Sequence, residues 1–292
     1  MEGKLMDKKK VYSIWFLMPA FIVFVVFYLI PTVTSLYYSL TVWSIDGAEF
    51  CGLDNYKMFF SENSLSIGIK NTLIFSAVTC LIKVVLGFVI ALFLTSAIRT
   101  KNLLRSVVFF PNLISTVAVG ITFKALMHPT KGLINKFLEL FGGGGIDWLG
   151  NPKLALGSVI GVDGWKGLSM AVVIFIAGIT AVDKTYNEAA EIDGANWWQR
   201  LRYIVFPLTR GSRNSVIILS FIGGMRTFEL IWSMTGGGPG FATDVLASII
   251  YKQYADGFYG LSTAGNVIML VMIACLAYPL QAFLQRREEL LV

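Results

Sequence analysis

The sequence predicts an all-α, polytopic membrane protein, on three observations. Its 292 residues are 55% hydrophobic and only 14% charged, against roughly 45–50% and about 25% in a soluble domain. The apolar surplus is gathered into runs of about 20 residues or more, the length that crosses roughly 30 Å of hydrocarbon. Such runs are too long for barrel strands, and main-chain polar groups cannot be left open in lipid, so each run is expected to be a helix.

Six transmembrane helices are expected, near 12–34, 70–97, 106–128, 154–182, 212–235 and 261–284. The first follows Lys8-Lys9-Lys10 but is too long for the apolar core of a signal peptide. It contains Pro19 and Pro31 and lacks a small-residue cleavage site, so an uncleaved span is expected. Basic residues sort the connections into two sets. One holds Lys4, Lys8, Lys9, Lys10, Arg99, Lys101, Arg105, Lys184, Arg200, Arg202, Arg210, Arg213, Arg286 and Arg287. The other holds Lys57, Lys70, Lys131, Lys136, Lys153 and Lys252. The richer set belongs inside, which places both termini in the cytoplasm of a multi-pass plasma-membrane protein. The net charge of +6 is thus a topology signal and does not call for nucleic acid.

Among the outer segments, 129–153 carries Gly142-Gly143-Gly144-Gly145, four residues that cannot sustain a helix. The last, 236–260, opens with Gly236-Gly237-Gly238-Pro239-Gly240 and continues with Val245, Ile249, Ile250 and Tyr254 at helical spacing, so a short interfacial helix is expected. No repeat or linker divides the chain, and one transmembrane domain over 1–292 is expected. Cys80 and Cys275 fall within spans and Cys51 outside, which is no disulfide framework.

Enzymatic chemistry finds little to work with. His128 is the sole histidine, which excludes His-based triads and multi-histidine metal sites, and no G-x-x-x-x-G-K-[ST] phosphate cradle occurs. The chain is read as a non-enzyme with no metal or cofactor of its own. If it belongs to an energised pump, the nucleotide binds elsewhere.

The inner segment 183–210 is too long to be a plain connection. Asp183, Glu188, Glu191 and Asp193 precede Arg200 and Arg202, an order that complements helix dipoles. Ala189, Ala190 and Ala195 form helix with little bulk and allow close approach by another backbone. Gly194 turns the chain between two helical halves. After it, Trp197, Leu201 and Val205 recur every four residues, a stripe expected to rest on the helix bundle, and Pro207 starts the next span.

These residues carry a resemblance. Glu188-Ala189-Ala190, then Gly194, then Ile204, Phe206 and Pro207 resemble the hallmark loop of binding-protein-dependent ABC transporter permeases, with Phe206 where that loop usually has Leu. Gly52-Leu53-Asp54-Asn55-Tyr56, Gly132-Leu133-Ile134-Asn135 and Thr235-Gly236-Gly237-Gly238-Pro239 with Ala242-Thr243 are similar to outer segments of the carbohydrate-uptake branch, which includes maltose and glycerol-phosphate permeases. The resemblance implies a type I ABC importer permease fold with a core over about 66–284. It implies a second permease subunit, two ATPase subunits that bind ATP and Mg, and an extracellular or periplasmic sugar-binding protein. Glu188, Ala189, Ala190, Asp193 and Gly194 would then dock on an ATPase subunit.

Lys83, Lys124, Asp163, Lys166, Arg226 and Glu229 lie in or near spans, where each unpaired charge costs at least about 2.5–3.5 kcal/mol. Asp163 with Lys166 and Arg226 with Glu229 are spaced to pair along one helix face. Lys83, near mid-span, is expected to face protein or a water-filled cavity. By similarity to the maltose permease, Asp163, Lys166, Gly167, Met170, Gly224 and Thr227 are candidates for a saccharide path, and Trp165 and Trp232 are added as aromatic faces for a sugar. The rival readings are an ion-gradient-driven secondary transporter, whose intramembrane charges would couple ion and solute, and an ABC permease for a non-sugar solute.

Overall fold

The computed structural model describes residues 14–44, 47–96 and 98–289. The basic residues Lys4 to Lys10, the start of the first expected span and Asp46 lie outside them. Among the described residues four helices are long and apolar enough to cross a membrane: α1 (Trp15–Tyr38), a stretch Leu65–Thr95 within α3 (Asn63–Thr95), α7 (Ala155–Thr180) and a stretch Tyr259–Arg286 within α13 (Tyr259–Glu289).

The other two expected spans are not single helices. The run near 106–128 folds as α4 (Lys101–Leu113) and α5 (Thr116–Leu126), bent by 97°. Pro111 has no N–H to return to the preceding turn, and Ile114 and Ser115 are extended. The run near 212–235 folds as α10 (Arg210–Met225) and α11 (Glu229–Met234), interrupted at 226–228. The two short halves, α5 and α11, pack on each other. Gly120 lets them approach, since a Cβ there would collide with Ser233 Oγ.

Among the described residues the expected all-α chain also contains one small sheet. After α1, strands β1 (Thr41–Ser44) and β2 (Gly47–Phe50) form an antiparallel hairpin with Thr41 opposite Phe50, followed by α2 (Asp54–Ser61). Segment 129–153 likewise holds a helix, α6 (Leu133–Glu139), ahead of its glycines. The helix expected after Gly240 is α12 (Leu246–Ala255).

The centre of the bundle is α3, α7 and α10. Lipid supplies no hydrophobic drive between helices, so close packing of small residues does the work. A Cβ on Gly87 would sit 3.0 Å from Ala171 Cβ, and Ala91, one turn on, is fully buried. Two apolar clusters cap this centre. Phe75, Val159, Ile231 and Met234 lie at one end, and Leu94, Val172, Phe175 and Val216 lie towards the end that carries 183–210. By contrast, no residue of the apolar window of α1 is buried by the rest of the chain.

Candidate functional site

The 183–210 segment is a tight helix–turn–helix. The Asp183 carboxylate accepts from the Thr185 N–H at 2.9 Å and opens α8 (Lys184–Ile192). That bond holds the Asp183 carboxyl below its ordinary range. Helix α8 stops where Gly194 takes φ +79°, a conformation that glycine adopts without steric cost. The Ala195 N–H then donates to Ala190 O at 2.8 Å and the Gly194 N–H to Glu191 O at 3.1 Å, the paired closure of a Schellman turn. Asn196 and Gln199 cap the next helix, α9 (Trp197–Arg200), by exchanging side-chain and main-chain bonds at 2.8 and 2.9 Å. An Arg200–Glu191 ion pair ties the two halves together.

The tip of this hairpin faces outward. Glu188, Ala189, Asp193 and Gly194 are exposed and Ala190 is half-buried. Ile192, 87% exposed, is an apolar knob that sequence reasoning passed over, although one isoleucine in a charged stretch was visible there. The expected stripe rests on the bundle only at its second end, since Trp197 is 62% exposed. Leu201 and Val205 face α3, and the Phe206 ring meets Phe88 edge-to-face at 5.6 Å, with Phe88 against Phe175 at 5.3 Å. The Arg213 guanidinium lies over the Phe206 ring, 4.2 Å from its centroid, and donates to Phe206 O at 3.2 Å. Phe206, the one departure in the loop motif, is an aromatic anchor.

The charges within spans pair differently from the expectation. Asp163 accepts from Lys83, across α7 and α3, at 2.6 Å, and no ion pair joins it to Lys166 among the described residues. Lys83 is 8% exposed and has the greater need of a partner, whereas Lys166 is half-buried. Lys83 therefore faces protein. Arg226 and Glu229 form no ion pair with each other either, because the helix is broken between them.

The substrate-path candidates do not gather in one cavity of this chain. Asp163 and Gly167 surround Lys83, and a Cβ at Gly167 would lie 2.1 Å from Lys83 Cε. Gly224 sits at the crossing of α10 and α3, where a Cβ would meet Ser76 Cα at 2.6 Å, and Thr227 N–H donates to Gly224 O at 3.3 Å. Trp165 packs on Phe123 with centroids 5.2 Å apart, while Trp232 belongs to a separate cluster with Phe228 and Tyr251 at 5.7 and 4.7 Å. Met170 is 52% exposed. Among the described residues no group of three His, Cys, Asp or Glu side chains is placed to hold a metal.

The three loop motifs have a physical reason that their spacing did not reveal. Each is organised by one buried polar side chain. Asn55 donates to Ser39 O and Thr41 O at 2.9 and 2.8 Å, binding α2 to the hairpin. Asn135 donates to Pro129 O and Ile146 O and accepts from Trp148 Nε1 at 2.8 Å, closing the 129–148 loop. Asp244, fully buried, accepts from Lys252 Nζ at 2.7 Å and from Ser248, while Asn71 donates to its main-chain O at 2.9 Å.

A broken-helix bundle with a charged hairpin between two of its central helices is the type I ABC importer permease fold, and the comparisons agree. The chain belongs to the family of binding-protein-dependent transport system inner membrane components, whose model matches residues 83–289. It is 30% identical over 259 residues to a trehalose/maltose transport system permease protein of Thermococcus litoralis, covering 88% of each chain. It is 31% identical to an sn-glycerol-3-phosphate transport system permease protein of Agrobacterium fabrum, covering 92% of this chain and 93% of that one. In fold it is similar to a chain of a bacterial ABC transporter that imports the acidic polysaccharide alginate, with TM-score 0.83, 22% identity and coverage of 93% and 94%.

Proposed function

We propose that this chain is one permease subunit of an ATP-driven saccharide importer, forming half of the translocation pore. The observation that carries the reading is the hairpin about Gly194, whose acidic, small-residue tip is exposed while its apolar half is anchored on the bundle. Glu188, Ala189, Ala190, Asp193 and Gly194 dock in a cleft of an ATPase subunit, which supplies the ATP and Mg chemistry. Closure of two ATPase subunits draws the hairpins of the two permease subunits together and turns the pore outward, where a sugar-loaded binding protein delivers its cargo. The whole of 1–292 acts as one transmembrane domain, with the 183–210 loop and both termini in the cytoplasm.

The helix breaks support a polar path. Non-helical backbone at membrane depth is tolerated only where protein or a water-filled cavity covers it. Asn112 and Ser115 at one break and Arg226 at the other are exposed in the single chain, which suits a face towards the pore and the second permease. Asp163, Trp165, Lys166, Gly167, Met170, Gly224, Thr227 and Trp232 are assigned to the same path. The deciding experiment is reconstitution in liposomes. Sugar uptake is expected only with the ATPase, binding protein and ATP present, and uptake by the permease alone under an ion gradient would overturn the reading.

A further inference from the structure

Between the hairpin's second half and α3 lies an apolar groove of about 740 Å³. Its floor is the outward side of the last turns of α3, with Val89 and Phe93 each 57% exposed, and its wall is Trp197, Trp198 and Leu201. One cation enters it. Arg202 lines the groove, is exposed, and has no ion-pair or hydrogen-bond partner among the described residues. Its guanidinium rests 5.8 Å from the Tyr203 ring. Trp197, Trp198 and Tyr203 are 62%, 60% and 70% exposed. Exposed aromatics with an arginine, at the point where a spanning helix ends, are the composition of a membrane–water boundary.

We propose that this groove binds an acidic phospholipid of the inner leaflet, one acyl chain along Val89 and Phe93 and the anionic headgroup on Arg202. The assignment rests on the reading that the hairpin is cytoplasmic, the side on which anionic lipids meet basic residues near a span. Charge complementarity selects the lipid: a guanidinium without an ion-pair partner among the described residues heads a mostly apolar slot. Arg99, exposed and three residues beyond Ser96 of the groove lining, adds a second positive charge to the same end of α3. A bound lipid would fill the space between the hairpin and the bundle, and so would sit within the element assigned to carry motion from the ATPase.

Native mass spectrometry of the full chain, purified with its partner subunits and offered phosphatidylglycerol and phosphatidylcholine in equal parts, tests the proposal. Preferential retention of phosphatidylglycerol is expected, and Arg202→Gln should weaken that preference about five-fold. Equal retention of the two lipids, or an unchanged preference in Arg202→Gln, would overturn it. A photo-crosslinking residue in place of Val89 gives an independent measurement. A lipid-sized adduct is expected, and an adduct the size of another polypeptide would assign the groove to a protein instead. Both measurements read binding without transport, so their failure leaves the importer reading standing, and ATP-independent uptake would sink that reading without altering them.

Discussion

Lys83 and Asp163 meet at 2.6 Å across α3 and α7, and Gly167, one turn beyond Asp163, leaves the space through which the lysine reaches it. A charge buried alone in a membrane bundle is costly, and each of these two residues is the other's remedy. Removing one partner of such a pair costs more than replacing both with apolar groups of similar volume.

Lys83→Met alone should therefore destabilise the chain by about 3 kcal/mol. The double variant Lys83→Met with Asp163→Leu should recover most of that loss. Thermal unfolding of the purified complex in detergent reads both, and a double variant no more stable than the single would refute the pairing argument. Asp163→Asn should also alter the range of sugars transported, and an unchanged profile would remove Asp163 from the substrate path.

At the hairpin tip, Gly194→Asp and Glu188→Lys are expected to leave the chain in the membrane while uncoupling ATP hydrolysis from uptake. The first places a side chain at φ +79°, and the second reverses the charge of the docking face. Parallel ATPase and uptake assays on one proteoliposome preparation check this, and normal uptake by both variants would contradict it.

Phe206→Leu restores the usual residue of the family loop and should be mild. It gives up the edge-to-face contact with Phe88 and the stacked Arg213, worth about 1 kcal/mol together. Uptake close to that of the unmodified protein, with a slightly lower melting temperature, is the expected result.

Asn135→Ala and Asp244→Asn should each loosen the loop it organises, by about 2 kcal/mol. Limited proteolysis should then cut near 140–148 in the first variant and near 236–245 in the second. Resistance equal to the unmodified protein would mean that these side chains do not organise the loops.

The sequence carried the fold where periodicity and length carry information. The runs at 70–97, 154–182 and 261–284 are helices because twenty or more apolar residues admit no other structure in lipid. It did not carry the breaks at 114–115 and 226–228, since hydropathy averages over a window and registers neither a missing proline N–H nor an exposed Ser115. Gly194 was legible because a glycine between two helix-forming stretches has one common use. The Lys83–Asp163 pair was not, because it joins positions eighty residues apart and Lys166 offered a nearer partner. The loop motifs were legible as a pattern alone, and their reason, a buried Asn or Asp within or next to each, lies in contacts that spacing does not show.

The turn at Gly194 is closed by its own main chain, stiffened by the Glu191–Arg200 strut, and footed on Phe206. Nothing in that sequence of joints is a compliant loop. A force applied at Glu188 has no hinge in which to dissipate before it reaches Phe88 and the foot of α3. If the hairpin docks on an ATPase as proposed, it would act as a rocker arm and leave the bending to the interruptions of α4–α5 and α10–α11.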